Sequence, residues 1–180
     1  VNCIGIDPGL SGGIAIISEL WKITLHKMPE SAKDLSDFLG SFPRVGTRIV
    51  IEDQGPRPSY RKETIQQGQE SIEVNMPMRS AKATWTFAQH FGEIRGILAT
   101  LEIPCEYVKP QVWMKALGVP RRGKGATQTE WKNFLKDRAQ AQFPGVKVTL
   151  ATCDALLIAE YCRRIHGGKL PMNPRAFDDI

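Results

Sequence analysis

The chain has 180 residues, of which 42% are hydrophobic, with 24 Lys and Arg against 19 Asp and Glu and a net charge of +5. That length suits a single domain over residues 1–180 with one substantial core. No apolar stretch approaches the roughly 20 residues of a membrane-spanning helix and no secretory signal is visible, so the expected setting is cytoplasmic, in a bacterium or a phage-infected host.

The first predicted elements are paired strands at 2–7 and 13–18, with a third at 21–27 continuing the meander. Between the first two, Asp7-Pro8-Gly9-Leu10-Ser11-Gly12-Gly13 is rich in residues that suit a tight turn. Asp7 therefore stands where the pattern of Ile4, Ile6, Ile14 and Ile16 demands core. A buried carboxylate is costly without a cation or a strong donor. Next, SAKDLSDFLGSF carries Leu35, Phe38 and Leu39 at helical spacing behind a Ser31 cap. TRIVIED predicts a strand at 47–52 that ends on Glu52.

Residues 53–80 have no clean period and contain Pro56, Pro58 and Pro77, which reads as a long loop, functional or partly disordered. In SAKATWTFAQHFGEIRGILATLE, Phe87, Phe91, Ile94, Leu98 and Leu101 share one helical face, and Gly92 and Gly96 leave room for close packing. A strand at 103–108, a short helix in QVWMKAL and a basic loop, GVPRRGKGATQ, follow. TEWKNFLKDRAQAQF sets Trp131, Phe134 and Leu135 on one side of a helix that Pro144-Gly145 ends. The closing helix, TCDALLIAEYCRRI, carries Asp154 in its first turn, and 167–180 is a short tail. Strands first and helix–strand alternation afterwards point to helices layered on a mixed sheet.

Cys3, Cys105, Cys153 and Cys162 lack metal-finger spacing and form no CxxC pair, so they read as reduced packing residues. His26, His90 and His166 are scattered and read as structural rather than metal-ligating, with His90 a candidate to face a partner copy. Basic residues gather at Arg57, Arg61 and Lys62, and again over Lys109, Lys115, Arg121, Arg122, Lys124 and Lys132. Such clusters suit a polyanion and equally suit a solvated loop. The Arg121–Lys124 loop lacks P-loop spacing, so no nucleotide cofactor is expected.

Two strands thus end on an acid, Asp7 and Glu52. If they lie side by side and parallel, both acids leave the sheet at one edge, where open α/β sheets bind ligands. Asp154 at a helix start could join them. Oxygen-only ligands would select Mg²⁺ or Mn²⁺. The plainer alternative gives each acid a local role: Asp7 capping its turn, Glu52 paired with a base, Asp154 favoured at a helix N-terminus.

IGIDPGLSGGIAII, IVIEDQ and CDALLIAEY, in that order, resemble the RuvC-type Holliday junction resolvases. TWTFAQHFGEIRGIL and VKPQVWMKALG look like the middle signatures of the phage and chloroplast branches. The resemblance implies an RNase H-like α/β fold, a five-stranded mixed sheet with helices on both sides. It implies a homodimer that resolves four-way DNA junctions by paired, metal-dependent phosphodiester hydrolysis, leaving 5′ phosphates. Asp7, Glu52 and Asp154 match the family's acids, holding two Mg²⁺ (or Mn²⁺) ions per site. The family has a further acid or histidine three or four positions before the last one, where this chain has Ala151 and Leu150. Either three carboxylates suffice here, or another group approaches the second metal, or the chain is a weakened variant. The predicted DNA contacts are Arg57, Tyr60, Arg61, Met78, Arg79, Lys82, Trp85, Phe87, Lys109, Lys115, Arg121, Arg122 and Lys124. Phe87 also fits the core stripe of its helix, whereas Trp85 lies off it. Two rival readings are a nuclease acting on structured RNA and a junction-binding protein with little or no cleavage.

Overall fold

The computed structural model describes residues 1–53, 55, 60–68, 70–77, 80–123 and 125–167, with the backbone alone at 60, 61, 67, 70 and 75–77. Its main sheet has five strands: β1 (Asn2–Asp7), β2 (Gly13–Ile17), β3 (Ile23–Lys27), β4 (Thr47–Glu52) and β7 (Cys105–Val108). Their spatial order is β3-β2-β1-β4-β7. The β1–β2 and β2–β3 pairs are antiparallel, and β1–β4 and β4–β7 are parallel, so the sheet is mixed as expected.

The alternation of side chains across β1 explains its position at the centre of the sheet. Ile4 and Ile6 pack with Ile14, Ile16, Ile49 and Ile51 against helices α1 (Ala32–Gly40) and α2 (Ala81–Leu101). Cys3 faces the other way with Ala15, Ile17 and Val50, toward α3 (Pro110–Ala116), α4 (Gln128–Gln142) and α5 (Cys153–His166). Helices therefore cover both faces. A strand buried on two sides reads as a nearly continuous apolar run, which NCIGID does.

Helix α5 is the central support of one face, with every residue from Cys153 to Cys162 buried. It lies so close to β1 that a Cβ on Gly5 would stand 2.2 Å from both the Ala155 oxygen and the Ala159 nitrogen. Glycine is required there to let helix and strand backbones meet. The one acid in its middle, Glu160, is 2% exposed and accepts bonds from Arg163 at 2.7 and 2.8 Å and from Arg164 at 2.8 Å. Arg163 in turn lies over the Trp21 ring.

Three expectations need correction. The 53–80 stretch is not a loop throughout: it contains an antiparallel hairpin, β5 (Tyr60–Gln67) and β6 (Glu70–Pro77), turning at Gly68, where φ is 69°. Lys62, Thr64, Ile65, Gln66, Ser71, Ile72 and Glu73 are all exposed, so no buried face imposed an apolar alternation for sequence reading to find. Cross-strand partners help hold it, Lys62 to Glu73 and Gln66 to Ser71, each at 2.8 Å. On α2 the buried line is His90, Ile94 and Leu98, leaving Phe87, Phe91 and Leu101 only half-buried. His90 is therefore enclosed within its own chain, and burial lowers its pKa. Finally, Cys105 is only partly buried, although Cys3, Cys153 and Cys162 are buried and all four thiols are free. No helix among the described residues is long and apolar enough to cross a membrane.

Candidate active site

Asp7 and Glu52 are brought together by the parallel β1–β4 register, in which Ile6 stands opposite Ile51 and each strand ends one residue later on its acid. Asp154 arrives from the other layer. The close contact of α5 with β1 sets the first turn of that helix over the same sheet edge, with the Ala151 carbonyl 2.6 Å from the place a Cβ of Gly13 would take. Gly13 is the register partner of Asp7. Each of the three acids is 6% exposed.

The cluster has two further members. Lys132, from α4, places Nζ 3.6 Å from Asp7 Oδ2 and forms an ion pair with Asp154 Oδ2. Trp113, fully buried on α3, donates its indole N–H to Glu52 Oε2 at 3.0 Å. The Cys153 thiol approaches Asp154 Oδ1 at 3.4 Å, and burial with that neighbouring carboxylate pushes the thiol up to about 12.

Burial pushes Asp7 up to about 8, aided by Asp154 and then Glu52, while Lys132 acts in the opposite direction. For Lys132, burial works against the charge, but Asp154 and Asp7 outweigh it and raise the pKa. One ammonium thus leaves a cluster of three acids short of positive charge. Among the described residues, no three His, Cys, Asp or Glu side chains form a ready-made metal-binding set. The donor chemistry nevertheless fits a hard divalent cation: carboxylate oxygens, nine-tenths buried, repelling one another, with the chain's own Lys132 cation against two of them.

Of the three acids, Asp7 lines a cleft of ≈ 1000 Å³. One wall is the Pro8–Gly12 turn. The others are the start of α2 (Ser80, Lys82, Ala83, Thr86, Phe87), the start of α4 (Gln128, Thr129, Lys132), and Leu150 with Ala151. Ala151, at one of the positions where the resemblance implies a further acid or histidine, borders the same cleft as Asp7.

Of the predicted DNA contacts, Lys82 and Phe87 line this cleft. Phe87 stacks on Phe91 with centroids 5.9 Å apart, and its ring lies 3.7 Å from the place a Cβ of Gly9 would take. It is a rim residue, neither core nor free. Trp85, two residues earlier and on another side of α2, is 73% exposed. Lys109, Lys115, Arg121 and Arg122 are exposed around α3 and the loop after it, although Arg122 also donates Nε–H to the Ala126 carbonyl at 2.9 Å, tying that loop. Tyr60 and Arg61 open β5, where the backbone alone is described; Arg57, Met78, Arg79 and Lys124 lie outside the described residues.

The sequence places Lys132 only in the basic cluster over 109–132, not with the acids, and gives Trp113 no site role. A signal existed for the first: Lys132 precedes the buried Leu135 and Ala139 at helical spacing, a charge on an inward stripe. Trp113 carried none beyond being an apolar residue in a short helix.

Comparison with solved structures supplies the remaining finding. The Thermus thermophilus RuvC structure in complex with a Holliday junction substrate superposes with a TM-score of 0.53 at 14% identity, covering 92% of this chain and 97% of that one. A second structure of Thermus thermophilus RuvC gives a TM-score of 0.49 at 15% identity. No protein-family model matches the chain, and no curated protein sequence matches it. The fold is therefore the RNase H-like fold of RuvC, with the five-stranded mixed sheet expected from the sequence.

Proposed function

We propose that this chain is a metal-dependent endonuclease that recognises and cuts four-way DNA junctions. The observation that carries the reading is the meeting of Asp7, Glu52 and Asp154 at one sheet edge, beside an open cleft, on a fold shared with a junction-bound resolvase. Mg²⁺ or Mn²⁺ would be held by Asp7, Glu52 and Asp154. Bound there, such ions supply a water nucleophile at neutral pH and charge stabilisation for the leaving 3′ oxygen, so that the product carries a 5′ phosphate.

The chain's own residues do the rest. Trp113 fixes one oxygen of Glu52, so that this carboxylate keeps a single orientation as charge develops beside it. Burial of the acids keeps bulk water from screening their field. Lys82 on the α2 wall of the cleft offers a cation to a phosphate, and the exposed Arg121 beyond α3 is a further cation, giving affinity without sequence information. The rim aromatic Phe87, or the exposed Trp85 on another side of α2, would hold open the easily unstacked base pairs of a junction centre. A homodimer would present two such clefts to opposite arms.

A labelled four-way junction incubated in Mg²⁺, beside duplex DNA and structured RNA of the same length, tests this directly. Junction-selective cutting that Asp7→Asn abolishes, with junction binding retained, is the expected result. Cutting of RNA in preference to the junction would refute it.

One observation favours a second reading, junction binding with weak cleavage. Ala151 borders the cleft without a side-chain ligand, and a lysine already occupies the acid cluster. Under that reading, Ala151→Asp raises cleavage strongly over the natural chain in the same assay.

A further inference from the structure

Lys132 is held inward by the geometry of α4. It lies one turn ahead of Leu135 and two ahead of Ala139, the two buried residues of that helix, so the face that docks α4 onto the body also carries its ammonium to the acids. The side chain is 32% exposed, and its Nζ spans Asp7 Oδ2 at 3.6 Å and Asp154 Oδ2 together. The same lysine lines the cleft, beside Thr129 and Gln128 from the start of its helix. A divalent ion shared by Asp7 and Asp154 needs the volume that this ammonium fills, and two cations a few ångströms apart repel strongly where little water screens them. The flexible four-carbon stem lets the head move without moving the helix, and the open cleft is the space beside it.

We propose that Lys132 is an internal counter-cation. In the metal-free protein it holds Asp7 and Asp154 together, it competes with the divalent ion for them, and on metal loading it turns into the cleft, where it meets the scissile phosphate. The proposal rests on the reading of Asp7 and Asp154 as metal ligands. It accounts for a cluster of buried acids that is assembled before any metal arrives: the chain's own charge substitutes for the ion during folding and is released as the ion binds.

The test uses the full chain stripped of metal and titrated with Mn²⁺, with binding followed by electron paramagnetic resonance. Lys132→Met keeps the stem and removes the charge, and Lys132→Gln is the second variant. The expected result is a Mn²⁺ Kd at least tenfold lower in either variant than in wild type, with a metal-free melting temperature several degrees lower. A Kd unchanged or raised in the variants overturns the proposal while leaving the ligand reading intact. Acetic anhydride labelling of the wild-type chain needs no variant to fold. Acetylation of Lys132 should rise several-fold at saturating Mn²⁺, and a rate indifferent to Mn²⁺ overturns the release step. Mn²⁺ binding in wild type that Asp7→Asn leaves unaltered would overturn the ligand reading itself, and this inference with it.

Discussion

Gly5→Ala probes the contact on which both the fold and the acid cluster depend. The added methyl would sit 2.2 Å from the Ala155 oxygen and the Ala159 nitrogen and 2.8 Å from the Ile158 carbonyl carbon, all of them backbone atoms that no rotamer change can move. To reach an ordinary contact near 3.4 Å, α5 must retreat by about 1.2 Å from β1. A gap of that size along a fully buried helix forfeits a large share of its dispersion contacts, and overpacking of this kind costs about 3 kcal/mol or more. For a chain of this length that lowers the melting temperature by roughly 6–12 °C. The same retreat pulls Asp154 away from Asp7, and a misplacement near 1 Å in a reacting site costs about a hundredfold in rate. Thermal unfolding followed by circular dichroism, in a chelator, reads the first effect, and junction cleavage reads the second. Gly92→Ala is the control: nothing lies within 4 Å of that methyl, so it is neutral or stabilises α2 by up to ~1 kcal/mol. A Gly5→Ala protein that melts with wild type would refute the close β1–α5 contact and the placement of Asp154 that follows from it.

Asp7→Asn has a signature in stability as well as in catalysis. Because burial and the Asp154 and Glu52 carboxylates raise Asp7 to about 8, the native state binds more protons than the unfolded chain over roughly pH 4 to 8, so metal-free stability falls as pH rises through that window. In chelator, the asparagine variant should melt above wild type by a margin that widens toward about pH 8; a margin constant with pH would contradict the burial of Asp7 as an acid. Trp113→Phe removes the donor to Glu52, a bond to a charged group worth about 1.5–3 kcal/mol. A double-mutant cycle with Glu52→Gln, measured by denaturant unfolding, should show coupling of at least ~1 kcal/mol, and additivity would show that the bond contributes nothing. Trp85→Ala, at a 73% exposed position, should leave stability within about 0.5 kcal/mol. Its junction affinity should fall by about 1–3 kcal/mol if the ring stacks on a base, and an unaltered Kd assigns Trp85 no part in binding.

The central sheet was legible because its strands are buried on both faces or paired with one that is. The apolar runs around Ile4, Ile16 and Ile49 carry a signal strong enough to place β1, β2 and β4 to within a residue or two. The three acids were legible for a related reason, since a charge interrupting a core pattern is conspicuous. The β5–β6 hairpin escaped notice because both its faces are wet, and a strand without a buried side has no apolar rhythm. On α2, the inward line passes through His90 rather than Phe87, because what covers a helix face is decided by its neighbours and not by its own spacing.

Local pattern thus determined the strands and helices that have a buried side, and which carboxylates stand at their ends, since burial writes itself into the order of residues along each such element. Only the tertiary structure decided what those carboxylates meet. Lys132 and Trp113 lie 22 residues before Asp154 and 61 after Glu52 respectively. No local periodicity links positions so far apart, and their contacts exist because α4 and α3 dock on the same face of the sheet as α5.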